Sequence, residues 1–320
     1  MDKISVIIPC LNEEEAIPIY YEAMKPVMDK MNEVEYELIF VDDGSDDGTL
    51  SIMREMSERD SRCRYLSFSR NFGKEAALYA GLSNAAGDYV VVMDVDLQDP
   101  VELLPKMYEM LQSEDLDRVA ARRVDRDGEP LIRSFLSDCF YKVINKISKT
   151  EFVKGARDYC MMKRTVVDAV LKMQEYNRFS KGIFQWVGFR TAWLEYHNAE
   201  RCVGETKWSM KKLALYSLEG IIGFSTFPLS IASIMGIIFC FIAFIMTVFF
   251  AVRTLIFGND VGGWTSLACL ILFVGGVQLF CTGIVGGYLS KAYLEAKHRP
   301  IYILKEESQK HLEKKDMANA

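Results

Sequence analysis

Positive charge is not in excess in this chain: 44 acidic residues stand against 38 basic ones, a net charge of −6. That balance argues against a nucleic-acid binder. Histidine is scarce, with three residues, His197, His298 and His311, far apart in the sequence. The last two lie in a charged tail and read as plain surface residues. The eight cysteines include no Cys-x-x-Cys pair. Neither a zinc site nor a disulfide framework is suggested, and a reducing compartment fits. The chain has little proline (8 residues) and no glycine repeat, which excludes a fibrous protein, while a hydrophobic share of 50% excludes a disordered one. A length of 320 residues allows roughly two domains.

Charge is missing altogether from two stretches, between Glu219 and Arg253 and between Asp260 and Lys291. Each exceeds the roughly 20 apolar residues that a spanning helix needs. Two such runs in succession argue against buried helices of a soluble protein, and the expected spans are 228–252 and 264–290. The short linker makes them a transmembrane hairpin. Gly275-Gly276, Gly283 and Gly286-Gly287 allow close helix approach in lipid, so a homo-oligomer is permitted. Lys207, Lys211 and Lys212 precede the first run, Lys291, Lys297, Arg299 and Lys305 follow the second, and the linker holds one arginine. The positive-inside rule then puts both flanks in the cytoplasm. Met1-Asp2-Lys3 runs straight into a strand-like segment, so no signal peptide is expected. The expected organisation is a cytoplasmic domain over 1–220, a hairpin over 221–290 and a cytoplasmic tail over 291–320, in a multi-pass protein of the plasma membrane. No task is readable for the tail over 305–320.

The first part alternates strand and helix. SVIIPCLN (5–12), YELIFVDDGSDDGT (36–49), YLSFS (65–69) and DYVVVMDVDLQDP (88–100) read as strands running into turns. Residues 13–31, 49–59 and 74–86 read as helices between them. The fold class is therefore α/β, a mostly parallel sheet with helices on both faces. Such sheets bind ligands at the carboxyl ends of their strands, where this sequence puts its polar clusters.

Two clusters carry the chemistry. In Val41-Asp42-Asp43-Gly44-Ser45-Asp46-Asp47-Gly48-Thr49, part is turn and cap chemistry. Asp42 and Asp43 repel unless they meet donors, and ribose hydroxyls or base N–H groups are suitable ones. In Asp94-Val95-Asp96-Leu97-Gln98-Asp99-Pro100, a continuing strand would project Asp94 and Asp96 from one face. Carboxylate oxygens there suit Mg²⁺ or Mn²⁺, which bridges substrate phosphates. Gln98 is either a third oxygen ligand or a plain turn residue.

IIPCLNEE (7–14), VDDGSDDGT (41–49), NFGKEAAL (71–78) and DVDLQDP (94–100) together resemble glycosyltransferase family 2, with its GT-A, Rossmann-like nucleotide-sugar fold. SKGIFQWVGFR (180–190), RCVGETKWS (201–209), FSTFPLS (224–230) and RPIYIL (299–304) resemble its membrane-anchored polyprenyl-phosphate glycosyltransferases, which include bactoprenol glucosyltransferases and dolichol-phosphate-mannose synthases. The resemblance implies a metal-dependent hexosyltransferase that moves one sugar, with inversion, from UDP-glucose or UDP-N-acetylglucosamine to undecaprenyl phosphate for cell-envelope glycan modification. It implies that Pro9, Leu11, Glu13, Asp42 and Asp43 border the nucleotide, and that Asp94, Asp96 and Gln98 hold the metal, with Asp96 catalytic. Arg201 and Lys207 would bind the diphosphate, with Asp94 beside it. Arg122, Arg133 and Ser137 would meet the acceptor phosphate, Arg123 and Arg126 being close competitors of Arg122. The family's Ser-Lys is Thr206-Lys207 here, which keeps a hydroxyl.

Asp158 is a catalytic base by the same resemblance; its alternative is a carboxylate paired with Arg157, Arg164 or another cation. A phosphate acceptor is already anionic and needs positioning more than deprotonation. Interfacial helices are expected near 131–148 and 205–219. Within the first, an apolar stripe at 132, 135, 136, 139, 143 and 147 either meets the bilayer or packs on the protein. Trp208 in the second reads as an interfacial anchor. Two other functions compete. A processive polysaccharide synthase would carry Gln-x-x-Arg-Trp, which Gln185-Trp186 does not match. A non-catalytic nucleotide-sugar sensor is disfavoured by the intact Asp-x-Asp.

Overall fold

The computed structural model of the chain describes residues 1–124, 131–148, 150–196, 219–257 and 263–308. Strand and helix alternate through the first part: β1 (Asp2–Cys10), α1 (Ala16–Lys30), β2 (Val34–Asp42), α2 (Thr49–Arg59), β3 (Cys63–Phe68), α3 (Lys74–Asn84) and β4 (Tyr89–Val92). After them come α4 (Leu104–Ser113), β5 (Arg118–Arg123), α5 (Leu131–Ile147), β6 (Ala156–Lys163), α6 (Arg164–Leu171), α7 (Ser180–Trp186) and β7 (Thr191–Tyr196). The last strand, β8 (Leu304–Glu307), follows two long helices.

The eight strands form one sheet in the order β7-β5-β6-β4-β1-β2-β3-β8. Neighbours β4, β1, β2 and β3 run parallel, as do β5 and β7. Strands β6 and β8 are antiparallel to their neighbours. Side chains alternate across β1: Ile4, Val6 and Ile8 enter the core under α1 and α4, while Ile7 enters the one under α3 and α6. Both faces are thus apolar, as a parallel sheet covered on both sides requires. Helix α1 buries Ala16, Ile17, Tyr20, Met24, Val27 and Met28, the i, i+3, i+4 spacing of one helical face. Strands β2 and β4 leave β1 on opposite sides, so the strand order reverses at β1, the switch point beyond whose carboxyl ends such sheets place their ligand crevice.

The apolar runs form two long helices, Phe227–Phe257 and Trp264–Ala296. Within them, Phe227–Met246 and Phe273–Ala296 are long and apolar enough to cross a membrane. Ile237, Phe241, Phe244, Phe273, Leu279 and Phe280 are exposed on them, a surface that water does not favour. By the rise of an α-helix the two are roughly 45–50 Å long, beyond the ~30 Å of a hydrocarbon core.

The segment that follows the second helix departs from the expected plain tail. Residues 301–308 return to the sheet: β8 pairs with β3, Ser69 N donates to Ile303 O (2.9 Å) and Ser308 N to Tyr65 O (3.1 Å). Tyr302 stacks on Phe68 at 5.0 Å between ring centroids, and Arg54 makes a two-pronged bond to Glu306, both contacts at 2.7 Å. The pattern is illegible from the sequence because LKEE is short and half-exposed, and its partner lies far away in the chain. Replacing Tyr302 with Ala removes the ring stacked on Phe68, so the fold should lose about 2 kcal/mol. Its melting temperature should fall by about 4–8 °C, as read by scanning calorimetry.

Candidate active site

Four loops meet at the carboxyl ends of the parallel strands. The loop after β1 is stitched to the loop after β2. Asn12 N donates to Ser45 Oγ (2.9 Å), Asp46 N to Asn12 Oδ1 (2.9 Å), Glu13 N to Thr49 Oγ1 (2.8 Å) and Gly48 N to Glu14 Oε2 (2.7 Å). Pro9, Leu11 and Glu13 stand half-buried along this seam.

Asp42 and Asp43 are nearly fully buried, at 1% and 4% exposure. Asp42 accepts from Ser45 N (2.9 Å) and from Ser67 Oγ (2.7 Å). Asp43 accepts from the backbone N–H of Phe72 (2.6 Å) and of Gly73 (2.9 Å). The donors that these carboxylates require therefore come from the chain itself. Burial pushes the Asp43 carboxyl above its ordinary value, against the pull of the two N–H groups. Gly73 takes a φ of +99°, a conformation that suits glycine, and so turns the chain into α3 with Lys74 as its first residue.

Strand β4 ends at Val92, so Asp94 and Asp96 lie in a turn rather than on a continuing strand. The turn still leaves both half-buried on either side of buried Val95, and Leu97 bends it with a φ of +54°. Asp96 Oδ1 accepts from Gln98 N (3.2 Å). Lys74 Nζ lies 2.7 Å from Asp94 Oδ1 and 2.8 Å from Asp158 Oδ2, joining the turn to β6 through α3. Burial would raise the Asp158 carboxyl, but the Lys74 and Lys181 charges outweigh it and hold the group well below the usual carboxylate range. The same exchange works on Lys74: burial alone would lower its ammonium, and Asp158 and Asp94 raise it above its ordinary value.

Arg157, an expected partner of Asp158, turns instead to Asp99 (Nε to Oδ1, 3.2 Å) and to Gln98 (Nη2 to Oε1, 3.4 Å). Arg164 donates to the backbone oxygens of Ala85 and Gly87. The Tyr196 hydroxyl donates to Asp99 as well. The carbonyl oxygen of Gln98 is thus directed at Arg157. Among the described residues, no cluster of three His, Cys, Asp or Glu could enclose an ion. Asp94 and Asp96 supply hard oxygens from one turn, and the chemistry of these donors suits a hard divalent ion such as Mg²⁺ or Mn²⁺.

Arg122, near the end of β5, donates from Nε to Lys154 O (3.2 Å) and faces Glu195 at 3.6 Å. Arg133 and Ser137 lie on α5, in a stretch of which only the backbone is described. Arg126, Arg201, Lys207, Trp208 and the segment 205–218 lie outside the described residues. On α5 the buried face is Ile144 with Phe140, Tyr141 and Ile147, packed with Phe152 and Phe179. Cys139 and Val143, from the expected stripe, point outward.

The residue without an expected role is Lys74. One signal was available: an ammonium in the first turn of a helix opposes the helix dipole, so its presence there calls for a nearby anion.

The sequence model of Glycosyl transferase family 2 matches residues 5–189. The bactoprenol glucosyl transferase of Shigella phage SfV is 44% identical over 308 residues, covering 96% of this chain and 100% of the relative. The prophage bactoprenol glucosyl transferase homolog of Escherichia coli K12 is 44% identical over 303 residues, covering 95% and 98%. A crystal structure of glucosyl-3-phosphoglycerate synthase from Mycobacterium tuberculosis, with Mn²⁺ and UDP-glucose, is similar at a TM-score of 0.44 and 22% identity, over 69% of this chain and 77% of that one.

Asp43→Asn leaves one carbonyl oxygen for two backbone donors. The amides of Phe72 and Gly73 should exchange with deuterium about ten-fold faster in native-state hydrogen exchange, with distant amides of β1 unchanged.

Proposed function

The chain belongs to glycosyl transferase family 2, and from that premise we propose that it transfers one sugar from a nucleotide sugar to a polyprenyl phosphate at a membrane. Its relatives named bactoprenol glucosyl transferase match from end to end, which supports the lipid carrier as acceptor. We assign the donor to the uridine nucleotide sugars, UDP-glucose or UDP-N-acetylglucosamine, and the acceptor to undecaprenyl phosphate. One observation carries the reading: Asp94 and Asp96 lie at the crevice beside β1 and β4, in a domain joined directly to the two apolar helices. Tyr176 N donates to Glu295 Oε1 (2.9 Å) and Lys291 Nζ to Asn177 Oδ1 (2.8 Å), tying α7's approach to the second helix.

In this mechanism Pro9, Leu11 and Glu13 border the nucleotide. Asp42 and Asp43 shape its floor through the loops that they hold. Asp94 and Asp96 would hold a divalent cation, with Gln98 held by Arg157 beside that turn. When bound, the cation shields the charge that grows on the departing diphosphate. Arg201 and Lys207 add positive charge to that diphosphate, and Arg122, Arg133 and Ser137 orient the acceptor phosphate. A carboxylate held below its ordinary range by Lys74 is a weak base, and an anionic acceptor needs none. Asp158 therefore acts by holding Lys74 in place. A single in-line attack inverts the sugar carbon, so an α-linked donor gives a β-linked lipid.

The membrane arrangement has a physical basis. Strand β8 follows both apolar helices and pairs with β3, which precedes them. Both ends of a crossing hairpin must then lie on one side. Lys291, Lys297, Arg299 and Lys305 against the lone Arg253 of the linker put that side in the cytoplasm. The domain over 1–220 thus extends to include residues 301–308, around a hairpin over 221–290. The exposed Cys139 and Val143 of α5 suit contact with the bilayer surface. Two candidate spans among the described residues make a poor channel for a processive synthase.

Purified chain incubated with a panel of nucleotide sugars and undecaprenyl phosphate should yield a lipid heavier by one hexose or one N-acetylhexosamine. Asp96→Ala should reduce that product by about a thousand-fold while the protein still inserts into membranes; unchanged turnover would refute the metal assignment. In sealed inside-out vesicles, protease should digest the domain over 1–220 and spare the hairpin. A protected domain would overturn the sidedness.

A further inference from the structure

Lys74 reaches across the crevice from the start of α3, and its ammonium is held by one oxygen of Asp94 at 2.7 Å and one of Asp158 at 2.8 Å. Both carboxylates are half-buried, and the ammonium is well within contact distance of each. Asp94 is also a proposed ligand of the divalent cation, and an ammonium and a metal ion cannot share one carboxylate oxygen at these distances. Lys74 carries one positive charge and three donors, so it neutralises a carboxylate pair much as a cation does. It lies beside Gly73, whose N–H is fixed by Asp43, and beside Glu75, whose Oε2 accepts from Ser180 N at 2.9 Å. The backbone on both sides of Lys74 is therefore anchored, and from that fixed Cα its side chain, 38% exposed, reaches both carboxylates.

We propose that Lys74 is a built-in competitor of the divalent cation: it neutralises Asp94 and Asp158 in the chain alone and gives up Asp94 when the ion enters with the nucleotide sugar. This rests on the reading of Asp94 and Asp96 as metal ligands. Removing Lys74 leaves two carboxylates facing each other with no cation between them. The turn then binds a divalent ion without needing the phosphates of a nucleotide. In the intact chain, the ion must displace an ammonium from Asp94, and it does so with the help of the diphosphate it arrives with. Lys74 thereby couples metal binding to donor binding. As a positioning residue, it remains paired with Asp158.

The test measures Mn²⁺ affinity directly, by electron paramagnetic resonance of free Mn²⁺ against full-length chain in detergent, with no nucleotide and then with UDP. Lys74→Met should tighten binding of Mn²⁺ alone by about ten-fold or more, since unit charges at this range interact strongly in a medium of intermediate dielectric. It should also shrink the gain in Mn²⁺ affinity that UDP brings to the unaltered chain. Lys74→Arg, which keeps the charge, should not tighten Mn²⁺ binding. Unchanged or weaker Mn²⁺ binding by Lys74→Met, with Asp94→Asn and Asp96→Asn still weakening it, overturns the competition while leaving the metal site standing. Mn²⁺ binding indifferent to Asp94→Asn and Asp96→Asn overturns both. A Lys74→Met chain that melts early but is restored by millimolar Mn²⁺ supports the proposal; one that stays unfolded at that concentration refutes it.

Discussion

An ammonium held between two carboxylates, Lys74 between Asp94 and Asp158, is the contact on which the candidate site depends. The three groups come from α3, from the turn after β4 and from β6, so the contact fixes how three separate elements approach one another. Like charges on Asp94 and Asp158 would otherwise drive the turn and β6 apart. The neighbouring bonds all serve this geometry. Asp43 fixes the backbone immediately before Lys74, and Asp99 takes up Arg157, which leaves Asp158 to Lys74. Charges pre-set in this way are the kind of arrangement that stabilises developing charge without first reorganising the site.

The same region is tied to the membrane part by a short series of contacts. Glu75, next to Lys74, accepts from both the backbone and the hydroxyl of Ser180 at the start of α7. Two residues on, Gly182 lies so close to Phe224 that an added Cβ would stand 2.4 Å from its ring. Only glycine allows that approach, which gives the Ser180-Lys181-Gly182 segment a physical reason for its composition. Phe224 lies just before the first apolar helix, and Ser225 O accepts from the Tyr288 hydroxyl of the second. Catalytic loops and hairpin are therefore packed through α7 rather than joined by a loose tether.

Much of this was legible in the sequence, and the reasons differ by element. The parallel strands and helices over 5–86 read clearly because apolar runs alternate with 3.6-period stretches, and α2 falls on the expected 49–59. The apolar helices read by the absence of charge alone. The turn after β4 was less legible: its carboxylates looked like a strand continuation, but buried Val95 between two half-exposed aspartates satisfies a turn equally well. Of the stripe expected on α5, Ile147 joins Phe140 and Ile144 against Phe152 and Phe179, partners that no periodicity within α5 reveals, while Cys139 and Val143 are exposed.

Asp42 and Asp43 show why site residues are harder to read than folds. Two adjacent carboxylates at a strand end demand donors, and the sequence cannot tell whether a ligand or the chain provides them. Here the chain does, through Ser67 and through the backbone of residues 72 and 73. The demand is legible in the sequence and these donors are not, because a β3 hydroxyl and two N–H groups of the loop after β3 are brought in only by the fold. A burial that raises the Asp43 carboxyl while two N–H groups restrain it describes a structural brace. The brace bears on the candidate site all the same, since it ends one residue before Lys74, whose ammonium joins Asp94 to Asp158.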